Sequence, residues 1–245
     1  MRILQVIPYF PPAYAFGGPV KVVYQLSKEL VKRGHDVTVY TTDAKNLNSR
    51  VEGDFTECMN GIRVYRFKNI SLLTVKKCKF FITPQMVLTT IKEIKRFDII
   101  HLHEYRTFQN IIAYYYAKKY SIPYLLQPHG SLPRMMTWRR LKWLYDATFG
   151  YKILGNVSKI IALNKFEAEQ YKYMKIPSQK VVIIPNGIDL SKYASLPCRG
   201  LFRKKFDIPE EKYIILFLGR IHRLKGVDLL LMSYAYLVNE LGYKN

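Results

Sequence analysis

The feature that most constrains this chain is a regular alternation between short, apolar, β-branched runs and segments of helical period. Strand-length runs lie at 2–8 (RILQVIP), 35–42 (HDVTVYTT), 61–67 (GIRVYRF), 98–103 (DIIHLH), 122–127 (IPYLLQ), 159–164 (KIIALN) and 180–185 (KVVIIP). Between most of them apolar positions recur at helical spacing, at 20–33, 84–96, 108–120, 132–152 and 166–173. Strands joined by helices pair in parallel, because a crossover must carry the chain back to the same end of the sheet. Several runs are apolar at consecutive positions, the pattern of strands covered on both faces. The expectation is an α/β domain built on a doubly wound parallel sheet.

After residue 184 the periodicity breaks in PNGIDLSKYASLP, where Pro, Asn-Gly, Asp and Ser read as a linker. This divides the chain into a first domain, 1–190, and a second region, 191–245. The second region comprises the linker, a strand at 213–219 (YIILFLG) and a helix at 227–241. One strand and one helix cannot bury their own apolar faces, so this region reads as the truncated start of a further domain.

The 39 Lys and Arg residues outnumber the 18 Asp and Glu, for a net charge of +21. That balance favours polyanions, anionic lipid headgroups or phosphorylated substrates without choosing among them. The basic residues are spread over helices and loops instead of forming a recognised nucleic-acid motif, so no nucleic-acid partner is expected. Cys58, Cys78 and Cys198 have neither disulfide-framework nor zinc spacing, which fits a reducing, cytoplasmic setting. The opening MRILQVIPYFPP has too short an apolar run and the wrong flanks to read as a signal peptide, and no run approaches ~20 apolar residues, so a soluble protein or one peripheral to a membrane is expected. The absence of GxGxxG argues against a nicotinamide-dependent dehydrogenase.

Several segments have the composition of ligand sites. The first strand leads through PYFPPAYAFGG into a helix opened by Gly17, Gly18 and Pro19. Glycines admit close backbone approach, and free N–H groups at a helix start hold anions such as a diphosphate. Spacing alone leaves a plain tight turn open. In GRIHRLKG, Arg220 and Lys225 follow the strand at 213–219, where two cations could neutralise a phosphate leaving group; a solvated basic turn is the alternative. His101 and His103 alternate on one strand that ends at Glu104, which makes His103 and Glu104 acceptor-side candidates, with a core role open. A basic aromatic stretch places Trp138, Arg139, Arg140, Lys142 and Trp143 together, suited to an anionic membrane surface, with core packing as the rival.

Taken in order, PPAYAFGGPVKVVYQLSKELVKRGHDVTVYT, HLHE, QPHG, IIALNKFEAE, VVIIPNGID and FLGRIHRLKGVDLLL resemble the retaining glycosyltransferases of the two-domain GT-B fold, family 4. The resemblance implies a Rossmann-like amino-terminal, acceptor-side domain followed by the first strand and helix of a Rossmann-like donor-side domain. It implies hexosyltransferase-type transfer from a nucleotide-sugar donor to a glycan or lipid-linked acceptor, as in polysaccharide biosynthesis, with retained anomeric configuration. Gly17, Gly18, Arg220 and Lys225 match donor-phosphate contacts; His129 matches the histidine beside the transferred sugar. Asn186 and Gly187, with Asp189, match the interdomain segment, which gives Asn186 and Gly187 a place among the donor contacts. His129, Arg220 and Lys225 are the catalytic candidates, and neither metal nor cofactor is implied. The family's carboxylate pair, E-x7-E, is absent from these 245 residues. The chain alone is therefore expected to turn over little, the alternative being a non-catalytic acceptor- or membrane-binding domain.

Overall fold

The computed structural model describes residues 1–78, 80–133, 138–219, 221 and 225–243. Two compact units emerge, Met1–Asp189 and Leu190–Asn245.

The first unit is organised by one sheet. In chain order its strands are β1 (Arg2–Val6), β2 (Asp36–Thr42), β3 (Thr56–Met59), β4 (Ile62–Phe67), β5 (Ile99–His103), β6 (Tyr124–Gln127), β7 (Lys159–Ala162) and β8 (Val181–Ile183). Their spatial order is β3-β4-β2-β1-β5-β6-β7-β8, and every pairing is parallel except β3 with β4. The chain winds one way from β1 through β2 and β4, then returns to lay β5 on the other edge of β1. The topological switch point therefore falls between β1 and β5, where connections leave in opposite directions and a crevice opens beyond the carboxyl ends.

The strands expected in this unit all form. β3 was not anticipated, because TECM is half-exposed and lacks an apolar run. Its signal was the Asn-Gly that follows: Asn60 and Gly61 both take positive φ, 53° and 78°, as a two-residue hairpin turn requires. The helices are α1 (Gly18–Lys32), α2 (Leu72–Cys78, also unanticipated), α3 (Pro84–Glu93), α4 (Phe108–Lys119), α5 (Arg139–Tyr145), α6 (Tyr151–Asn156) and α7 (Lys165–Lys172). The helix expected over 132–152 is shorter and broken. Leu132 and Pro133 precede it, 134–137 lie outside the described residues, and a π-helical turn at Asp146–Gly150 separates α5 from α6.

Strand alternation sorts side chains onto two covered faces. Ile7, Val37, Val39, Ile62 and Val64 pack with Val23 of α1 on one face. Leu4, Val6, Tyr40, Ile100 and Leu102 pack on the other with Met86 of α3, Tyr114 of α4 and Ile153 of α6. This is the doubly wound arrangement expected from the sequence.

Behind the carboxyl edge lies a buried ion pair. Arg106 donates from Nε to Asp146 Oδ1 at 3.0 Å and from Nη2 to Oδ2 at 2.8 Å, and the Asp146 side chain has no exposed surface. The same guanidinium reaches the carbonyls of Ser131 and Leu132 at 2.8 and 2.9 Å. Gly150 must be glycine for packing: a Cβ there would stand 2.3 Å from the Tyr105 hydroxyl and 2.9 Å from Asp146 Oδ1.

In the second unit, α8 (Leu201–Lys205) and α9 (Val227–Asn239) form. The strand expected at 213–219 does not: none of its residues is assigned to a strand, and Tyr213, Leu216 and Leu218 are exposed. A lone strand has no neighbour to satisfy its backbone, which is why an apolar run sufficient elsewhere in the chain does not suffice here.

Arg106→Met is expected to lower stability by about 3–5 kcal/mol, since it removes the guanidinium that pairs with the buried Asp146 carboxylate. Thermal melting should register a fall on the order of 10 °C. The double variant Arg106→Met/Asp146→Leu should recover part of that loss, and equal melting of single variant and parent would refute the assignment.

Candidate functional site

Three connections converge at the carboxyl edge of β1, β5 and β6. The first leaves β1 as a loop held by its own aromatic side chains. Tyr9 stacks on Phe16 with centroids 4.9 Å apart, and Phe81 meets both rings edge-on. Phe10 and Ala13 are buried, the Pro8 carbonyl accepts from Thr42 Oγ1 at 2.6 Å, and the Pro11 carbonyl accepts from Arg66 Nη2.

That loop ends at Gly17, whose φ of 101° lies in the region favouring glycine, so glycine is required by conformation. Gly18 has no such constraint, and a Cβ there would meet nothing within 4 Å. α1 begins at Gly18 with Pro19 in its first turn, no capping side chain and no acidic residue in that turn. Its leading N–H groups are thus available to an anion.

The second connection leaves β5 at Glu104, and the third leaves β6 at His129. Both residues are non-glycine with positive φ, 62° and 52°, a conformation uncommon outside glycine. Each is held by its neighbours. Tyr9 donates its hydroxyl to Glu104 Oε1 across the switch point, and the Asn110 side-chain amide donates to the Glu104 carbonyl at 3.0 Å. Glu167, buried on α7, accepts from the Gly130 N–H at 2.9 Å and the Leu163 N–H at 2.7 Å. The His129–Gly130 turn therefore sits between Glu167 on one side and the Arg106 contacts to Ser131 and Leu132 on the other.

Beneath this rim runs a buried polar row. Gln5, His101 and His103 share the face that carries α1, with Gln5 in register with His101. His103 Nε2 lies 2.6 Å from Gln5 Oε1, and His103 Nδ1 lies 3.0 Å from His129 Nε2. The His101 and His103 rings are 4.0 Å apart. Burial holds all three imidazoles in the neutral form. It pushes His101 down to about 3, with the neighbouring His129 adding to it, and His129 down to about 4. His103 is driven well below the usual imidazole range, by burial first and then by His101 and His129. The Tyr9 phenol is raised by burial and by Glu104.

Of the acceptor-side candidates, His103 is fully buried and reaches the rim only through His129, whereas Glu104 is half-buried at the rim. Asn186 is exposed near the β6 end, where Gln127 Nε2 reaches its Oδ1 at 3.5 Å, and Gly187 is exposed next to it. Lys225 is exposed in the second unit; Arg220 lies outside the described residues.

Core packing of the two tryptophans is overturned: Trp138 and Trp143 are 53% and 58% exposed. With Leu141, Leu144, Arg139 and Arg140 they form an open apolar and basic surface, while Lys142 is partly covered and its amine lowered by burial and by Arg106. Among the described residues no helix is long and apolar enough to cross a membrane, and no group of three His, Cys, Asp or Glu could hold a metal ion. Gln5, Arg106, Asp146 and Glu167 were not anticipated as supports. For Gln5 the available signal was polarity inside an apolar run, since a buried polar group demands a partner.

The family model for Glycosyltransferase Family 4 matches residues 16–192. A D-inositol 3-phosphate glycosyltransferase of Kineococcus radiotolerans is 25% identical over 239 residues, covering 91% of this chain and 53% of that protein. An uncharacterized glycosyltransferase of Methanocaldococcus jannaschii is 25% identical over 246 residues, covering 95% and 59%. The chain thus spans little more than half the length of these relatives. Among solved structures, Anabaena HepE in complex with UDP superposes with a TM-score of 0.66 at 15% identity, over 96% of this chain and 57% of that one. Sucrose-phosphate synthase from Thermosynechococcus elongatus gives 0.63 at 16%, over 97% and 60%. At such identities these two likenesses carry the fold alone.

The depressed imidazoles have a consequence for stability. Below about pH 6.5 the unfolded chain binds protons that the folded chain refuses, so unfolding free energy should fall as pH drops from about 6.5 to 4. Urea titrations at several pH values should show this loss, and the slope should shrink by roughly one proton in His129→Asn. An unchanged slope would mean that His129 titrates as an exposed ring.

Proposed function

Because the chain belongs to Glycosyltransferase Family 4, matched across 16–192, we propose that it serves in transferring a glycosyl group from a nucleotide-sugar donor, with retained anomeric configuration, to a glycan or lipid-linked acceptor. The observation that carries this reading is the convergence at the switch point: an uncapped helix start at Gly17–Gly18, a histidine turn at His129 and the Glu104 carboxylate, all at one edge of the sheet. Parallel α/β sheets bind ligands at that edge.

In this reading the first unit is the acceptor-side half of a GT-B arrangement, and the second contributes to the donor side. By the family resemblance Arg220 and Lys225 are read as stabilising the departing diphosphate, which is where charge grows as the glycosidic bond loosens, and the N–H groups at the start of α1 are suited to an anion. His129 lies beside the transferred sugar, and Asn186 and Gly187 border the donor. The chemistry requires neither metal nor cofactor, because fixed cations and helix N–H groups supply the positive charge. UDP in Anabaena HepE supports a nucleotide donor. The basic aromatic surface at Trp138–Leu144 supports an acceptor presented at an anionic membrane, its tryptophans entering the interface and its arginines meeting headgroups.

The test is release of nucleoside diphosphate from a panel of UDP-, GDP- and ADP-sugars, using the 245-residue chain and the complete reading frame of its source gene. Turnover is expected chiefly from the complete frame, and Lys225→Ala should abolish it. Gly18→Ala should melt like the parent, since its Cβ meets nothing, yet raise the donor KM by on the order of tenfold or more through loss of close approach. No donor consumption by either protein would overturn the transferase reading.

A separate measurement addresses the surface. The chain should sediment with phosphatidylglycerol vesicles but not with phosphatidylcholine vesicles at about 0.1 M salt, where charges still act over ~10 Å. Replacing Trp138 and Trp143 with Ala and Arg139 and Arg140 with Gln should release it. Sedimentation equal to the parent's would assign binding to bulk charge and remove the surface from the proposal.

A further inference from the structure

The buried row of polar groups spans the switch point and ends on the one histidine that reaches the rim. Its hydrogen-bond directions can be derived atom by atom. Gln5 presents its amide oxygen to His103 Nε2 at 2.6 Å. An amide oxygen only accepts, and so short a separation belongs to an N–H···O bond, so Nε2 of His103 carries the hydrogen. A neutral imidazole has one N–H, which leaves Nδ1 of His103 as a lone pair. That lone pair faces His129 Nε2 at 3.0 Å, a bond that forms only if His129 donates from Nε2. His129, also neutral, then keeps a lone pair on Nδ1.

We propose that Gln5 and His103 are positioning residues that fix the tautomer of His129, so that this histidine offers the site a hydrogen-bond acceptor at Nδ1 and takes a ligand hydroxyl, not a phosphate oxygen. This rests on the transferase reading for the identity of the ligand, but the tautomer assignment stands on the chain's own geometry. A phosphate oxygen is itself an acceptor and meets repulsion from the Nδ1 lone pair; a sugar hydroxyl donates to it. The row thereby divides the rim by chemistry, with anion-binding N–H groups at the start of α1 and a hydroxyl acceptor at the end of β6. Depth enforces the division. Gln5 and His103 have no exposed surface, so water cannot substitute for either partner without entering the sheet's packing. The depressed imidazole basicity agrees with it, since a protonated His129 would donate from both nitrogens and erase the distinction.

Long-range 1H–15N correlation of 15N-histidine-labelled 245-residue chain reads each tautomer directly and needs no turnover. The expected result is Nε2–H on both His103 and His129, with both Nδ1 nitrogens unprotonated. Gln5→Met removes the acceptor and His103→Leu removes the relay, and in each His129 should shift to a mixture or to Nδ1–H. His103→Asn places an oxygen near the Nδ1 position and should restore Nε2–H on His129. The proposal is overturned if the parent shows Nδ1–H on His129, or if His129 keeps Nε2–H in Gln5→Met and His103→Leu with dispersed spectra. Should those variants fail to fold, the parent spectrum alone decides. In the donor-consuming protein, Gln5→Met is further expected to reduce kcat/KM by roughly tenfold, the value of one hydrogen bond, with His103→Asn retaining more activity than His103→Leu. Correct tautomers without any donor consumption would sink the transferase reading and leave the positioning row intact.

Discussion

Everything at the candidate site depends on β1 being hydrogen-bonded on both edges. Flanked in parallel by β2 and β5, with apolar layers on both faces, it is the strand from which connections diverge. That divergence leaves room above the sheet without cutting into its core, and it sets two loops of opposite path side by side. The Tyr9–Glu104 and Gln5–His103 contacts both join β1 or its loop to β5 or its loop. The site is tied together by strands some ninety-five or more residues apart in sequence, as the 95- and 98-residue separations of these two bonds show. It can therefore exist only once the sheet is assembled.

Around that junction the polar groups divide into load carriers and presenters. Arg106, Asp146 and Glu167 are buried or nearly so; Arg106 pairs with Asp146, and Arg106 and Glu167 bond the backbone on either side of the turn. They hold the turn carrying His129 in a left-handed conformation that the backbone would not keep unaided. His129 and Glu104 stand at the rim, and the start of α1 beside Gly18 is open. A buried charge that serves only geometry costs desolvation, and here the cost is offset by two or more hydrogen bonds at each carboxylate.

How much of this was legible beforehand follows from where the information resides. The strands beneath the site were visible because each is buried on both faces and so apolar at consecutive positions. β3 was not, because an edge strand keeps one side in water and its residues carry no apolar run. Gly17 and Gly18 stood out as glycines opening a helix, and His129 through the family resemblance of QPHG. Gln5 did not, although a lone glutamine inside RILQVIP is an anomaly that a buried strand must resolve with a partner. Arg106 and Asp146 are 40 residues apart and no local pattern joins them. The strand expected at 213–219 failed for the complementary reason: its composition is correct, but strand formation is a property of pairs.

The left-handed backbone at His129 also restricts what this position could become. A φ of 52° excludes valine, isoleucine and threonine on steric grounds and is most comfortably occupied by glycine, asparagine, aspartate or histidine. Of that short set only histidine pairs a flat aromatic surface with two nitrogens on opposite sides of one ring, one directed inward to the sheet and one left for the rim. The conformation of a single peptide unit thus narrows the chemistry open to this corner of the molecule, and drift or engineering at residue 129 is steered toward that short set, none of whose other members carries a ring.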